Sequence, residues 1–160
     1  KINMGKPLFQ WNEIPLSSEY NTLCLPIEIA MLKNPVAVNI GNPHLIFFVK
    51  NIINVPFEKL APTLENHELF PNKINVSVAE ISKKKHIILK TWERGVGITD
   101  SCGSAACAAL VASILRKYIS HKETRVKLIG GDLLIEWDET TNNVFMTGKV
   151  EYVFHGFMNI

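Results

Sequence analysis

The sequence predicts an α+β domain in which a mixed or largely antiparallel sheet curls around one central, buried helix. Three observations predict this fold class. Many short segments are apolar and β-prone, and several alternate between apolar and polar residues as half-buried strands do. Turns built from glycine, proline or asparagine separate most of these segments. One helix-length segment, beginning at residue 103, is small and apolar on every side, which is typical of a helix buried in the middle of a domain.

The individual elements follow from these patterns. Two segments predict helices, namely residues 57–66 and the apolar segment that begins at residue 103. The segments on either side of Gly130-Gly131-Asp132 are expected to pair as a hairpin, and so are the two on either side of the lysine run at residues 83–85. The strand pattern is carried by the following segments: residues 1–5, 20–29, 36–40, 45–49, 72–82, 86–92, 125–129, 133–137, 144–147 and 149–154.

Composition excludes several function classes. The 160 residues suffice for one domain with a core. A net charge of +2 without a basic stripe gives no reason to expect nucleic acid. No apolar run approaches the ~20 residues of a membrane span, and no signal peptide is expected.

The cysteines argue for reduced thiols. There are three, Cys24, Cys102 and Cys107, without a CxxC pair, which fits neither a disulfide framework nor a zinc site. We therefore expect reduced thiols in a cytoplasmic protein. Cys24 and Cys107 are interpreted as structural residues, since each lies in an apolar segment.

Cys102 has a different setting, at the start of the apolar helix. Asp100 and Ser101 are both favourable N-cap residues, which would place Cys102 at the first helical position. The first amides of a helix lack internal partners and carry partial positive charge, so the pKa of a thiol there is expected to fall below ~8.5. The amides of Gly103 and Ser104 could hold a carboxylate, and the missing side chain of Gly103 would let a ligand approach the backbone.

Two further polar features interrupt apolar segments. The turn Gly41-Asn42-Pro43-His44 separates two predicted strands and would present the Asn42 amide and the His44 ring at a strand end. An Asx-type turn with a partly exposed histidine is an equally good interpretation. Asn75 lies within a predicted strand, where a turn or a solvent-facing position is the simpler explanation.

Four segments together resemble the second half of the diaminopimelate epimerase family. They are ERGVGITDSCGSAACA at residues 93–108, GNPH at residues 41–44, FPNKINV at residues 70–76 and a terminal segment ending near His155-Gly156. The family pattern is ERG, then glycine, then a Cys-Gly-Thr/Ser segment rich in glycine and alanine. Ala105 stands where many members have glycine, and Asp100 where an apolar residue is common. The resemblance extends over essentially the whole chain.

The resemblance implies an isomerase that interconverts LL- and meso-diaminopimelate, for lysine and peptidoglycan precursors, without pyridoxal phosphate or a metal. Such enzymes have two similar domains that face each other across a cleft, and each domain contributes one cysteine. One thiolate removes the α-proton, and the other thiol delivers a proton to the opposite face. Cys102 matches the cysteine of the second domain. Gly103 and Ser104 match the amides that hold the carboxylate at the reacting carbon.

The resemblance also implies roles for the other polar residues. Asn42, Asn75 and Arg94 match positions that grip the far carboxylate of the substrate, and Glu93 matches a position that binds the far ammonium. His44 matches a residue close to the cysteines that tunes them. The candidate catalytic residues are therefore Cys102, His44 and Glu93.

The family's first domain should carry its own cysteine helix after a GN motif, and the sequence contains no second such motif. We therefore expect residues 1–160 to be one domain, the C-terminal half of the enzyme, without its N-terminal domain and inactive alone. Its expected partners are diaminopimelate and that missing domain, and a homodimer is left open. Three alternatives remain: a proline racemase-like enzyme, a phenazine-biosynthesis-type isomerase that lacks the cysteine, and a non-catalytic binding half.

Overall fold

The computed structural model describes residues 1–83 and 85–158. Within them are two α-helices, α1 (Phe57–Glu65) and α2 (Gly103–Leu115), and a 3-10 helix (Ile52–Asn54). The strands, in chain order, are β1 (Ile2–Asn3), β2 (Glu28–Ile29), β3 (Leu32–Lys33), β4 (Val36–Asn39), β5 (Pro43–Val49), β6 (Asn75–Ile81), β7 (Ile87–Glu93), β8 (Gly97–Thr99), β9 (Glu123–Leu128), β10 (Gly131–Trp137) and β11 (Val144–Thr147).

Most strands belong to one mixed sheet. Its order is β1-β11-β10-β9-β7-β6-β5-β4, with β8 added on β7, while β2 and β3 form a separate hairpin. The pairs β5–β6 and β7–β9 are parallel, and the chain crosses between their strands through α1 and α2 respectively. The other pairs in the large sheet are antiparallel. The two predicted hairpins, β6–β7 and β9–β10, are confirmed.

Helix α2 lies inside the curl of the sheet. It contacts β4 at one end of the strand order and β11 near the other, so the sheet must wrap around it. Residues 105–113 are all buried, because their small side chains allow strands to approach on several sides. The predicted α+β class with a central buried helix is confirmed. Neither helix in the described part of the chain could cross a membrane; the longer, α2, has 13 residues.

The two helices cover opposite faces of the strands β4 to β7. Val36 and Val38 point into the core around α2, whereas Ala37 between them belongs to a second core around α1. Phe57 and Leu64 of α1 fill that second core. Since both faces are apolar and covered, the positions of these strands are tightly fixed, and so are the loops at their ends.

Two predictions about strands are wrong. Of residues 20–29, only Glu28–Ile29 is a strand, since an asparagine turn closes residues 21–24 instead: the Oδ1 of Asn21 accepts a hydrogen bond from the amide of Leu23. Cys24 is exposed in this turn and is not a core residue. Residues 149–154 form no strand: both edges of the preceding strand, β11, are already paired, with β10 and β1, and residues 149–154 are exposed and bury no apolar face.

Candidate active site

The predicted site residues converge at one end of the central strands. Strands β5 and β6 both begin there, with His44 opposite Asn75 in register. Strand β7 is antiparallel to β6 and ends there, with Trp92 opposite Val76 and Glu93 as its last residue. This register brings GNPH, the Asn75 strand and ERG together, although they are separated in the sequence.

Cys102 is the N-cap of α2 and not its first helical residue. Its backbone is extended, with φ −136° and ψ 105°, and its carbonyl accepts the first helical hydrogen bond, from the amide of Ala106 at 3.1 Å. Asp100 and Ser101 precede the helix, and the carbonyl of Asp100 accepts a bond from the amide of Gly130. The prediction that Asp100 or Ser101 is the N-cap is therefore wrong, because the N-cap is the next residue, Cys102. Cys102 still lies beside the free amides of the first helical turn.

A chain of polar side chains leads from the thiol to the GNPH turn. Cys102 Sγ lies 3.5 Å from Ser104 Oγ, and Ser104 Oγ lies 3.0 Å from His44 Nε2. The same ring nitrogen lies 2.9 Å from Asn42 Oδ1. The structure therefore brings four of the sequence-predicted residues into one network.

His44 is fully buried, so the interpretation of a partly exposed histidine is wrong. Burial, with a smaller contribution from the charge of Arg94, lowers the pKa of the imidazole to about 3. The ring is therefore neutral at physiological pH. Its Nδ1 is buried and has no hydrogen-bond partner among the described residues.

The prediction of a lowered thiol pKa is also wrong. Burial raises the pKa of Cys102 above its ordinary value, and the charge of the Glu93 carboxylate and a hydrogen bond with it act in the same direction. Hydrogen bonds from Ser104 and from the amide of Ala105 lower the pKa without reversing the shift. Cys102 is 6% exposed, and desolvation of the thiolate outweighs the helix end. In the chain alone the sulfur is therefore a thiol.

Glu93 is held in place at the end of β7. Its Oε1 accepts a 2.6 Å hydrogen bond from the Thr99 hydroxyl, and its carboxylate contributes to the raised pKa of the Cys102 thiol. The glycine-rich segment after Glu93 has a defined structure. It is a tight turn between β7 and β8, with Glu93 opposite Gly97.

Asn75 holds the two turns together. Its Nδ2 donates to the carbonyl of Pro43 at 2.8 Å, and its Oδ1 accepts from the amide of Arg94 at 2.9 Å. The side chain is buried at the start of β6, so neither a turn nor a solvent-facing position describes it. Arg94 itself is exposed, and one guanidinium nitrogen donates to the carbonyl of Asn72 at 2.8 Å.

Gly103 makes room for a protein side chain. A Cβ at this position would lie 2.7 Å from the Sδ of Met146 on β11. The space expected for a ligand beside Gly103 is therefore occupied on that side by Met146. Sequence reasoning missed Met146 because an apolar residue in a half-buried strand carries no chemical signal of its own.

Sequence reasoning also missed Glu65, the last residue of α1. It is 5% exposed and accepts bonds from the Trp92 indole and the Gly95 amide. A glutamate at a helix end normally indicates a solvent contact. No local pattern marks Glu65 in the sequence, and its ion pair with Lys73, 3.7 Å from Oε1, is visible only in the fold.

The other two cysteines do not face Cys102 as proton donors. Cys107 is buried within α2, and burial raises the pKa of its thiol to about 12. Cys24 follows Leu23, whose carbonyl accepts a bond from Arg116 at the C-terminal cap of α2. It therefore lies near the opposite end of that helix, which is about 20 Å long. In residues 1–83 and 85–158, no cluster of three His, Cys, Asp or Glu could hold a metal ion.

The family model and the curated relatives agree on one family. The family model described as diaminopimelate epimerase matches residues 36–153. The diaminopimelate epimerase of Wolbachia sp. subsp. Drosophila simulans (strain wRi) is 60% identical over 96% of this chain and 57% of its own length. That of Rhodopseudomonas palustris (strain BisA53) is 40% identical over 99% of this chain and 57% of its own length. The chain thus spans little more than half of these curated relatives.

Solved structures with similar folds are more distant in sequence. A predicted epimerase from Pseudomonas aeruginosa is 14% identical, with a TM-score of 0.53, over 96% of this chain and 58% of that one. A phenazine biosynthesis protein from Bacillus anthracis is 20% identical, with a TM-score of 0.50, over 68% of this chain and 35% of that one. These two likenesses concern the fold alone.

Proposed function

The chain belongs to the diaminopimelate epimerase family, and from this membership we propose that it supplies one catalytic half of the interconversion of LL- and meso-diaminopimelate. The proposal includes a cofactor-independent mechanism in which Cys102 acts on one face of the α-carbon. The observation that carries it is the Cys102 thiol, buried beside the free amides of α2 and linked through Ser104 to His44.

At the reacting end, the amides of Gly103 and Ser104 would bind the substrate carboxylate next to the α-carbon. These amides belong to the first turn of α2, where no helical partner is available to them. A carboxylate bound by these amides would place the α-carbon of the substrate near Sγ of Cys102. The same donors would stabilise the negative charge that develops as the α-proton leaves.

The raised pKa of Cys102 fits the role of a proton donor in the resting site. Because burial and Glu93 keep the sulfur protonated, Cys102 would act as the acid when the opposing group removes the proton. In the reverse direction it must act as the thiolate. A general acid and base that exchange roles in this way need a pKa within reach of the working pH.

The far end of diaminopimelate would be recognised by Arg94, Asn42 and Glu93. The exposed guanidinium of Arg94 lies on a turn that Asn75 fixes to the GNPH turn. An arginine can bind a planar carboxylate through two parallel hydrogen bonds. In this account Asn75 contributes mainly by positioning the two turns, because its amide group already bonds two backbone atoms.

The proposal needs a second acid or base on the opposite face of the α-carbon. Neither Cys24 nor Cys107 is placed for this task. We therefore include in the proposal that a second domain of the same enzyme supplies the opposing cysteine, and that residues 1–160 do not turn over substrate alone.

The test combines binding and isotope exchange on this chain. Diaminopimelate in deuterated water should bind weakly, shift the NMR signals of Arg94 and Cys102, and show at most slow, one-sided exchange of its α-proton. Cys102→Ala should abolish that exchange, whereas Cys24→Ala should not. Proline should not bind, which separates the racemase alternative. A folded chain that fails to bind diaminopimelate would support a non-catalytic half, and full turnover would contradict the need for a second domain.

A further inference from the structure

The hydrogen atoms of the polar chain at the site are constrained by its geometry. His44 Nε2 lies between two oxygens, 2.9 Å from Asn42 Oδ1 and 3.0 Å from Ser104 Oγ. An amide oxygen can only accept, so with the Asn42 amide in this orientation Nε2 must carry the ring proton. Asn42 therefore selects the tautomer of His44, in which Nδ1 is the bare nitrogen.

The hydroxyl of Ser104 then has a fixed direction. It faces a nitrogen that already carries a proton, so it cannot donate to His44. It accepts from the single Nε2–H, which is shared between the Asn42 oxygen and the Ser104 hydroxyl. Its own proton is left for the other neighbour, Cys102 Sγ at 3.5 Å. A charged acceptor strengthens such a bond, so this bond is stronger when the sulfur is a thiolate.

We propose that Ser104 is a positioning residue whose hydroxyl relays the N–H of neutral His44 to Cys102 and stabilises the thiolate during proton transfer. The catalytic meaning of this inference rests on the proposed function, because that function requires the thiolate. His44 becomes a fixed hydrogen-bond donor and not a proton acceptor. No proton leaves Ser104 or His44: the thiolate takes the α-proton as S–H, and the bond from Ser104 weakens as the charge disappears.

The surroundings of His44 favour this role over that of a base. The ring is fully buried, Arg94 places a positive charge nearby, and Nδ1 has no partner among the described residues to pass a proton on. A second proton on the ring would therefore be poorly stabilised.

The groups that face Cys102 act in opposite directions. Ser104 and the Ala105 amide lower the pKa of the thiol, whereas burial and Glu93 raise it. Cys107, in the same helix, is itself protonated at neutral pH, since its pKa is raised to about 12. Removing the Ser104 hydroxyl should therefore shift the balance further toward the thiol.

The test is a titration of Cys102 in the full chain with Cys24→Ser as background. The thiolate ultraviolet absorbance is followed with pH, and the same titration of a Cys102→Ala chain is subtracted to remove the tyrosines and Cys107. Ser104→Ala should raise the pKa of Cys102 by about one unit, as expected for a hydrogen bond to a charged group. Ser104→Thr, which keeps the hydroxyl, should restore it. An unchanged pKa in Ser104→Ala would overturn the relay.

A second measurement needs no substitution at Ser104, in case Ser104→Ala fails to fold. A long-range proton–nitrogen NMR spectrum of the unsubstituted chain should show His44 neutral, with the proton on Nε2 and a bare Nδ1. A proton on Nδ1 would overturn the inference, because Ser104 would then donate to the ring. Both measurements omit substrate, so a failure to bind diaminopimelate would count against the proposed function and leave the relay standing.

Discussion

The indole N–H of Trp92 donates a 2.7 Å hydrogen bond to Oε2 of Glu65, so the end of α1 is attached to the end of β7. The other oxygen of the same carboxylate accepts from the amide of Gly95 at 2.9 Å. Glu65 thus holds both sides of Arg94, the arginine proposed to grip the substrate. Glu65 is the last residue of α1 and is not part of the predicted motif, yet its hydrogen bonds fix the turn that carries Arg94.

We predict that Glu65→Ala destabilises the fold. The substitution leaves the Trp92 indole and the Gly95 amide without their charged acceptor. Because Trp92 is half-buried and Gly95 is exposed, water can replace part of the loss, and we expect a cost of about 1–3 kcal/mol for the two bonds together. Urea unfolding followed by tryptophan fluorescence measures the free energy of unfolding. Glu58→Ala is the matched control, since Glu58 is also on α1 but forms only an exposed ion pair with Lys90. Equal effects of the two substitutions would show that Glu65 does not hold the turn.

We also predict that His44 makes the fold acid-sensitive. Its pKa is about 3 in the folded chain and near 6.5 in the unfolded chain, so below pH ~6.5 the unfolded state binds the extra proton. The free energy of unfolding should therefore fall as pH decreases, by up to about 1.4 kcal/mol per pH unit. The net effect of the groups around Glu65 lowers the pKa of its carboxyl, so its contribution is lost only at lower pH, below ~4.3.

The measurement is urea unfolding between pH ~7 and ~5, the window in which His44 acts and the carboxyl groups do not. His44→Gln should flatten the pH dependence in that window, whatever its effect at neutral pH. His121→Gln is the control, since His121 is exposed. A slope that survives His44→Gln would mean that another group takes up the proton on unfolding.

Local patterns were sufficient to predict both helices and the strands β4 to β7 around the site, but not β8 (Gly97–Thr99), whose glycine and short length hide the strand pattern. The GNPH turn needs a left-handed residue, and Gly41 has φ +87°. The apolar α2 could only be a buried helix. The same local information could not locate His44 relative to Ser104, which lies 60 positions away. Their contact depends on the register of β5 against β6 and on the path of α2, and both are set by packing far along the chain.

The sign of the Cys102 pKa shift could not be predicted for a related reason. A helix end lowers the pKa of a thiol when water still reaches the sulfur. The sequence gives the helix end but not the desolvation of Cys102 or the approach of Glu93. The order of such opposing effects follows from three-dimensional distances and burial.

This balance leads to a prediction for Glu93→Gln. Removing the carboxylate charge removes a repulsion toward the thiolate, so the pKa of Cys102 should fall, on the order of one unit. The pH profile of iodoacetamide alkylation, read by mass spectrometry at Cys102, should move to lower pH. Glu139→Gln is the control, since Glu139 is an exposed residue paired with Lys122. A profile that stays in place or moves to higher pH would contradict a direct effect of Glu93 on the sulfur.

The contact between α2 and β11 gives the last prediction. A Cβ at Gly103 would lie 2.7 Å from Met146 Sδ and 3.2 Å from its terminal methyl carbon, so Gly103→Ala must displace that side chain. The methionine is flexible, which limits the cost. We expect a lower melting temperature for Gly103→Ala and, because the first amides of α2 shift with it, weaker binding of diaminopimelate.

A double-mutant cycle isolates the contact. In a Met146→Ala background the obstruction is gone, and alanine is a better helix residue than glycine by up to about 1 kcal/mol. Gly103→Ala should therefore be neutral or stabilising in that background, although it is destabilising in the original chain. Thermal unfolding of the four chains gives the coupling free energy between the two positions. If Gly103→Ala costs the same in both backgrounds, glycine is needed here for a reason other than Met146.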